Sequence, residues 1–356
     1  MIASRKVVLQ YLRIFYIIFL LIASALADSN TTTDESPWLV TPLISSEPKL
    51  GSSIGAMGGY LHKFDKASPS SMFMLMGTYS TTESYIAGLF GRTYFDEDRQ
   101  RLVAGLVKGK INNEYNDFLG SGLPVNTTDD LYAAFTRYTY RIYDDWFFGA
   151  QAVSTNYSIS GNDWLSDKVL NFIGLDGFKS NALGLVIDRD TRDNQNSPSK
   201  GASLVANNLA YRKAFGGNED FDVYELKYRT YIEHYKEYVL AMRVEGRWTV
   251  DAPSGAYSSV NLRGYTQGQY LAPHATTFEA EERIRLSKRW GATVAGGAAC
   301  LYGGDKSCSD QENWFPAVSA GINYMLKVEE KMVVRADVAA GKSGNYGFYL
   351  QFGRPF

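Results

Sequence analysis

Asp222–His234 reads DVYELKYRTYIEH, and Tyr238–Trp248, just beyond it, reads YVLAMRVEGRW. In the first stretch Tyr224, Leu226, Tyr228 and Ile232 occupy even positions, and Glu225, Lys227, Arg229 and Glu233 occupy odd ones. In the second, Tyr238, Leu240, Met242, Val244 and Trp248 oppose Arg243, Glu245 and Arg247. A period of two is the mark of a β-strand, whose successive side chains point to opposite faces. Leu131–Tyr143 repeats the pattern with Tyr132, Tyr138, Tyr140 and Ile142 against Arg137 and Arg141, and Met332–Ala340 with Met332, Val334, Ala336 and Val338 against Arg335 and Asp337. A soluble sandwich also alternates, its apolar faces turned inward. Here aromatics cluster near both strand ends, and charges of both signs share one face. That is the pattern of a cylinder with lipid outside and a polar lumen inside.

The chain begins and ends in keeping with that reading. Arg5, Lys6 and Arg13 precede and flank an uncharged apolar run, Ile14–Ala23, and Ala25-Leu26-Ala27 is a small-x-small cleavage site. This predicts an export signal over residues 1–27, because the run is shorter than the roughly 20 residues a spanning helix needs. At the other end Phe348, Leu350, Phe352 and Phe356 alternate with Gly347, Tyr349, Gln351 and Gly353. A bacterial outer membrane is therefore the expected location.

Without the three basic residues of the signal, 33 Lys and Arg face 38 Asp and Glu, a net charge of −5 that offers nothing to nucleic acid. Mean hydropathy is −0.23. No uncharged apolar stretch after the signal is long enough for a helix in lipid, which excludes a helical membrane protein. A barrel needs apolar residues only at alternate positions, so its mean hydropathy stays low. Cys300 and Cys308 either close a small loop or remain thiols.

Residues 28–47 are polar with two prolines, which predicts a short periplasmic tail over residues 28–49. From residue 50 to Phe356 the pattern predicts an all-β fold, a transmembrane antiparallel barrel of about sixteen strands. Ser53–Phe64 would be the first strand, and a short one is expected near Ala256–Val260. Gly51, Gly55, Gly58 and Gly59 of the first strand, with Phe348, Phe352 and Phe356 of the last, would form the closing seam. Those glycines would weaken it, or else relieve packing and curvature.

Two segments rise above the repetition. One is Asp190-Thr191-Arg192-Asp193-Asn194 followed by Pro198-Ser199-Lys200-Gly201, which is turn chemistry: side chains that cap amides, a fixed φ, and a residue tolerant of positive φ. The other is Leu262-Arg263-Gly264-Tyr265, then Gly268-Gln269-Tyr270, between two strands. In this order, ahead of a Glu-bearing strand and a terminal Phe, they resemble the BamA/TamA superfamily of outer-membrane assembly factors, the bacterial surface antigen type. The resemblance runs from about Leu50 to Phe356.

The resemblance implies an Arg-Gly-Tyr loop (Arg263, Gly264, Tyr265) folded into the lumen, its arginine on wall carboxylates, with Glu281 the best match and Glu279 beside it. It implies the turn motif at Asp190, Arg192, Asp193, Asn194, Pro198 and Gly201. Departures are equally visible. The strand after Glu281 carries Gly296-Gly297-Ala298-Ala299 where the family has an aspartate, so a second acidic anchor is missing there. Glu282 falls on the lipid-facing register. The 28–49 segment cannot hold a polypeptide-transport repeat, so a barrel-only member is expected.

No catalytic or metal set is legible, and no cofactor is expected. His62 and His234 sit near strand ends and His274 follows the loop, none in a catalytic spacing. The patatin-like lipases with a related barrel add a Gly-x-Ser-x-Gly domain that this sequence lacks. The resemblance leads us to expect help with insertion or translocation of nascent outer-membrane or secreted proteins. A plugged pore or structural barrel is the alternative. Expected partners also include outer-membrane lipid, lipopolysaccharide among it, and the barrel assembly machinery, engaged through the C-terminal Phe strand.

Overall fold

Strands with one polar and one apolar side can satisfy every backbone hydrogen bond in a membrane only by closing on themselves. In the computed structural model they do so. The structure describes residues 36–47, 51–115, 125–161 and 177–353. The predicted signal at residues 1–27, Arg354 and Phe356 lie outside the described residues.

The first half of the wall is β1 (Trp38–Glu47), β2 (Gly51–His62), β3 (Ser71–Ser80), β4 (Tyr85–Phe95), β5 (Gln100–Tyr115), β6 (Val125–Tyr143), β7 (Trp146–Gly161) and β8 (Gly177–Asp190). Then come β9 (Gly201–Tyr211), β10 (Phe221–Tyr235) and β11 (Tyr238–Val250). Two short pieces, β12 (Ser258–Ser259) and β13 (Leu271–Ala272), pair only with each other. The wall resumes with β14 (His274–Arg285), β15 (Trp290–Tyr302), β16 (Trp314–Lys327), β17 (Met332–Gly341) and β18 (Tyr346–Phe352). Sixteen strands form one closed antiparallel barrel, with β1 meeting β18. β1 begins and β18 finishes at the same end, called here the terminal end; the other is the far end.

Side-chain exposure follows the alternation. On β10 Tyr224, Leu226, Tyr228 and Ile232 are exposed on the outer face, while Val223 and Tyr231 are buried in the lumen. On β17 Val338 is outside, whereas Arg335 and Asp337 inside are completely covered.

The structure corrects three expectations. Residues 38–47, read as tail, are the first barrel strand, paired along their whole length with β2. Their alternation is masked because both faces carry apolar residues and neither carries a charge before Glu47: Leu39 packs in the lumen against Leu61, Met72 and Met332, while Trp38 and Val40 face outward. Conversely, the strand expected at Ala256–Val260 shrinks to β12, which is not in the wall. The two differences offset each other, leaving the count unchanged.

The third correction is to the seam. Gly51, Gly55, Gly58 and Gly59 lie in β2, between β1 and β3. Gly55 serves close strand approach: a Cβ there would sit 2.1 Å from the carbonyl oxygen of Gly77. At the actual seam Phe348 opposes Ser46, whereas Phe352 pairs with Val334 of β17.

Candidate functional site

The lumen is filled from the far end by the segment between β11 and β14. Leu262, Tyr265 and Tyr270 bury themselves with Phe315, Leu301 and Val260. Gly264 takes φ +93°, and a Cβ on it would lie 3.3 Å from the backbone of Ala340, so only glycine fits this approach to the wall. Its amide donates to the Tyr349 hydroxyl at 3.2 Å. The Tyr265 hydroxyl donates to Pro316 O at 2.6 Å and accepts the Lys342 amide at 2.8 Å. Gly341 provides the space, since a Cβ there would be 2.4 Å from the Tyr265 ring.

Anchored in this way, Arg263 points at the wall. Its Nη2 donates to Glu279 Oε1 at 2.7 Å and Glu281 Oε2 at 2.9 Å, and its Nη1 lies 3.8 Å from Asp337 Oδ1. Arg243 of β11 donates to Glu279 at 2.8 Å and to the Asn261 carbonyl at 2.8 Å. Arg335 forks onto Glu281 at 3.2 and 3.0 Å and onto Asp337 at 3.1 and 2.8 Å. Arg283 reaches Glu281 at 2.8 Å, and Glu245 lies 3.3 Å from Arg243. Four arginines thus face four carboxylates, and the Glu281 side chain at their centre has no exposed surface. Charges taken out of water need this density of partners, and the planar guanidinium supplies it bidentately.

The second acidic anchor exists, two strands beyond the place expected for it. β15 offers glycine and alanine as read, but Asp337 of β17 reaches across. Gly321 on the intervening β16 makes this possible, because a Cβ there would lie 2.0 Å from Asp337 Oδ1.

The turn motif caps the terminal end. Asp190 accepts from Arg192 at 2.8 and 2.9 Å, Arg101 at 2.9 Å and Gln195 at 2.6 Å. Asn194 Oδ1 accepts the amides of Asn196 and Ser197, and Gly201, at φ +93°, sits where a Cβ would collide with Thr191 O at 2.1 Å. The loop reaches across the opening: Arg92 of β4 donates to Asn196 Oδ1 at 2.7 Å, and Asn196 Nδ2 donates to Glu330 O at 2.8 Å. Pro198 O accepts from Arg283 at 3.2 Å, so the two motif segments meet through the arginine that also holds Glu281.

Asp193 is partly buried, which pushes its pKa up. The amides of Lys200 and Ser199 on Oδ1 and the Lys331 ammonium on Oδ2 outweigh this and hold it below the usual carboxylate range. Elsewhere, Cys300 and Cys308 are joined, with Cα atoms 5.9 Å apart. Glu282 is on the outer register and meets His234 at 2.9 Å. His62 lies between the rings of Tyr60 and Phe64, and His274 beside Tyr302.

No family model and no curated protein matches this chain. Solved structures do. BamA from Haemophilus ducreyi lacking POTRA domains 1-3 superposes with a TM-score of 0.57 at 12% identity, over 90% of this chain and 71% of that one. CdiB from Acinetobacter baumannii gives 0.60 at 10% identity, over 89% of this chain and 59% of that one. CdiB from Escherichia coli gives 0.55 at 10% identity, over 91% and 63% respectively. The barrel has the BamA and CdiB fold. It spans about six-tenths of the length of either CdiB chain.

Two measurements check the site. Glu281→Gln removes the carboxylate shared by Arg263, Arg283 and Arg335 and should cost about 3–5 kcal/mol in equilibrium unfolding; the exposed Glu312→Gln should cost almost nothing. Because the pKa of Asp193 is depressed in the folded loop, its contribution is complete above the unfolded value of about 3.9 and is lost as pH falls through the lower folded value. The amide resonances of Ser199 and Lys200 should therefore titrate below that value, and the titration should vanish in Asp193→Asn.

Proposed function

We propose that this barrel assists insertion or translocation of polypeptides at an outer membrane, with the β1–β18 seam as the working element. One observation carries the reading. Among the described residues β1 meets β18 over Ile44–Ser46 opposite Leu350–Phe348 and is not laddered over Thr41–Leu43 opposite Gln351–Gly353, although Thr41–Leu43 pair with Met57–Gly55 of β2. Pro42, two residues before the last closing pair, has no N–H to give to a ladder. A strand edge with unpaired donors and acceptors is a template for another chain, and β-augmentation is the corresponding recognition mode. The fold shared with BamA and CdiB supports the reading.

A plugged pore is the second reading. It is favoured by the entry of loops from both ends, the Arg-Gly-Tyr segment from one and residues 190–201 from the other.

Locking the seam separates the first reading from a purely structural barrel. Ile44→Cys with Leu350→Cys places two thiols at a paired position. Oxidation should stop insertion of a client barrel into liposomes, and unchanged insertion by the locked protein would rule the seam out. Single-channel recording on Arg263→Ala addresses the second reading. Conductance should hardly change if the edge is the working element, and should rise if the loop is a plug.

A further inference from the structure

The outer face of the barrel is not uniformly convex. Over β1–β8 it is dented into an apolar groove of about 1010 Å³. Its floor is a register row of small residues, Gly91, Ala104, Thr136 and Ala152, on four successive strands. Phe73 closes this row on one side and Leu183 on the other. Phe215, in the turn after β9, hangs over the far-end corner, its carbonyl held by Asn181 Nδ2 at 2.8 Å. The volume is at the top of the roughly 300–1,000 Å³ that encloses a drug-sized ligand.

The rim is charged. Moving toward the far end, the outward positions of β5 change from Leu102, Ala104 and Leu106 to Lys108 and Lys110, and Lys179 holds the matching level on β8. All three lysines are exposed, and none has an acid within ion-pair distance among the described residues. Asp130, opposite Lys110 in the register, is the one acid in this row of outward side chains. Lysine on the lipid face of a barrel is costly at mid-membrane and tolerated near the interface, where its stem lies along apolar surface and its ammonium meets headgroups.

We propose that this groove is a binding site for a membrane lipid with an anionic phosphate headgroup. The acyl chains lie over Gly91, Ala104, Thr136 and Ala152, and the phosphate sits on Lys108, Lys110 and Lys179. Concave apolar surface facing hydrocarbon must be filled, and the three cations at one end choose the headgroup. The floor and the three lysines lie on β4–β8, away from the Glu281 network, so the proposal does not rest on a role for the seam, although Trp38 of β1 lines the edge of the groove.

The test uses the full chain in phosphatidylcholine nanodiscs doped with phosphatidylglycerol, with bound lipid counted by native mass spectrometry. Phosphatidylglycerol should be enriched on the protein. Lys108→Glu with Lys110→Glu and Lys179→Glu should lower that enrichment at least about tenfold, each lysine near an anionic surface being worth on the order of 1 kcal/mol. Ala152→Trp, which fills the groove and leaves the lysines in place, should lower it as well, and circular dichroism of both variants should stay that of the parent barrel. Equal retention of both lipids would overturn the proposal. So would displacement of phosphatidylglycerol by inorganic phosphate alone, because the groove would then contribute nothing.

Discussion

Glu281 is a carboxylate with no exposed surface, held by three arginines that arrive from three directions. Arg263 belongs to the far-end loop, Arg335 to β17, and Arg283 to the same strand as Glu281 but turned toward the terminal-end loop. A buried charge pair is poor evidence of stability, since desolvation consumes most of what the attraction returns. It is strong evidence of geometry. Every member must be present and in place, because an isolated buried ion costs far more than an exposed one. The position of the loop, the shape of the wall and the seating of the 190–201 cap are therefore one problem with one solution.

The glycines express the same constraint in steric form. Gly264, Gly321 and Gly341 make room for the loop backbone, for Asp337 and for the Tyr265 ring. Gly347 does the same for Tyr349, whose hydroxyl would lie 2.1 Å from a Cβ at that position. Each is a place where the polar network or the plug comes closer to the wall than an alanine would permit.

These relations explain how far the sequence could be read. Alternation made β10, β11 and β17 unmistakable, because charge on one face and aromatics on the other leave no ambiguity of period. β1 was hidden for the converse reason: Leu39 and Leu43 face inward and Val40 and Ile44 outward, so both faces are greasy and the period vanishes. Arg243, Arg335 and Asp337 were visible as lumen residues, yet nothing in their spacing says that they converge with Arg263. Convergence across a cylinder is set by shear and loop entry, which no single strand encodes. Asp337 was the plainest case. The resemblance puts the acid on the strand next to Glu281, and Gly321, the residue that lets Asp337 reach in from β17, reads as an ordinary glycine until the backbone is closed.

The barrel is consequently unequal around its circumference. From β11 to β17 the inner face is crossed by ion pairs and by the plug, whereas on the inner faces of β2 and β3 Met57, Leu61, Met72 and Met74 pack through adaptable thioethers and aliphatic carbons. The seam lies between the two regimes. On one side of it β18 is bonded to β17 and, through Tyr349, to the amide of Gly264 in the plug. On the other side β1 is laddered to β2 and, among the described residues, to β18 only over the short closing pairing, while Leu39 packs on Leu61, Met72 and, across the seam, Met332 of β17. Parting the seam thus leaves β18 where it is and frees β1, since moving β18 would also pull on the loop that Glu281 secures. In the proposed role, a client strand would meet one fixed edge and one compliant one. That arrangement suits templating, because the register is set by the edge that stays while the other gives way.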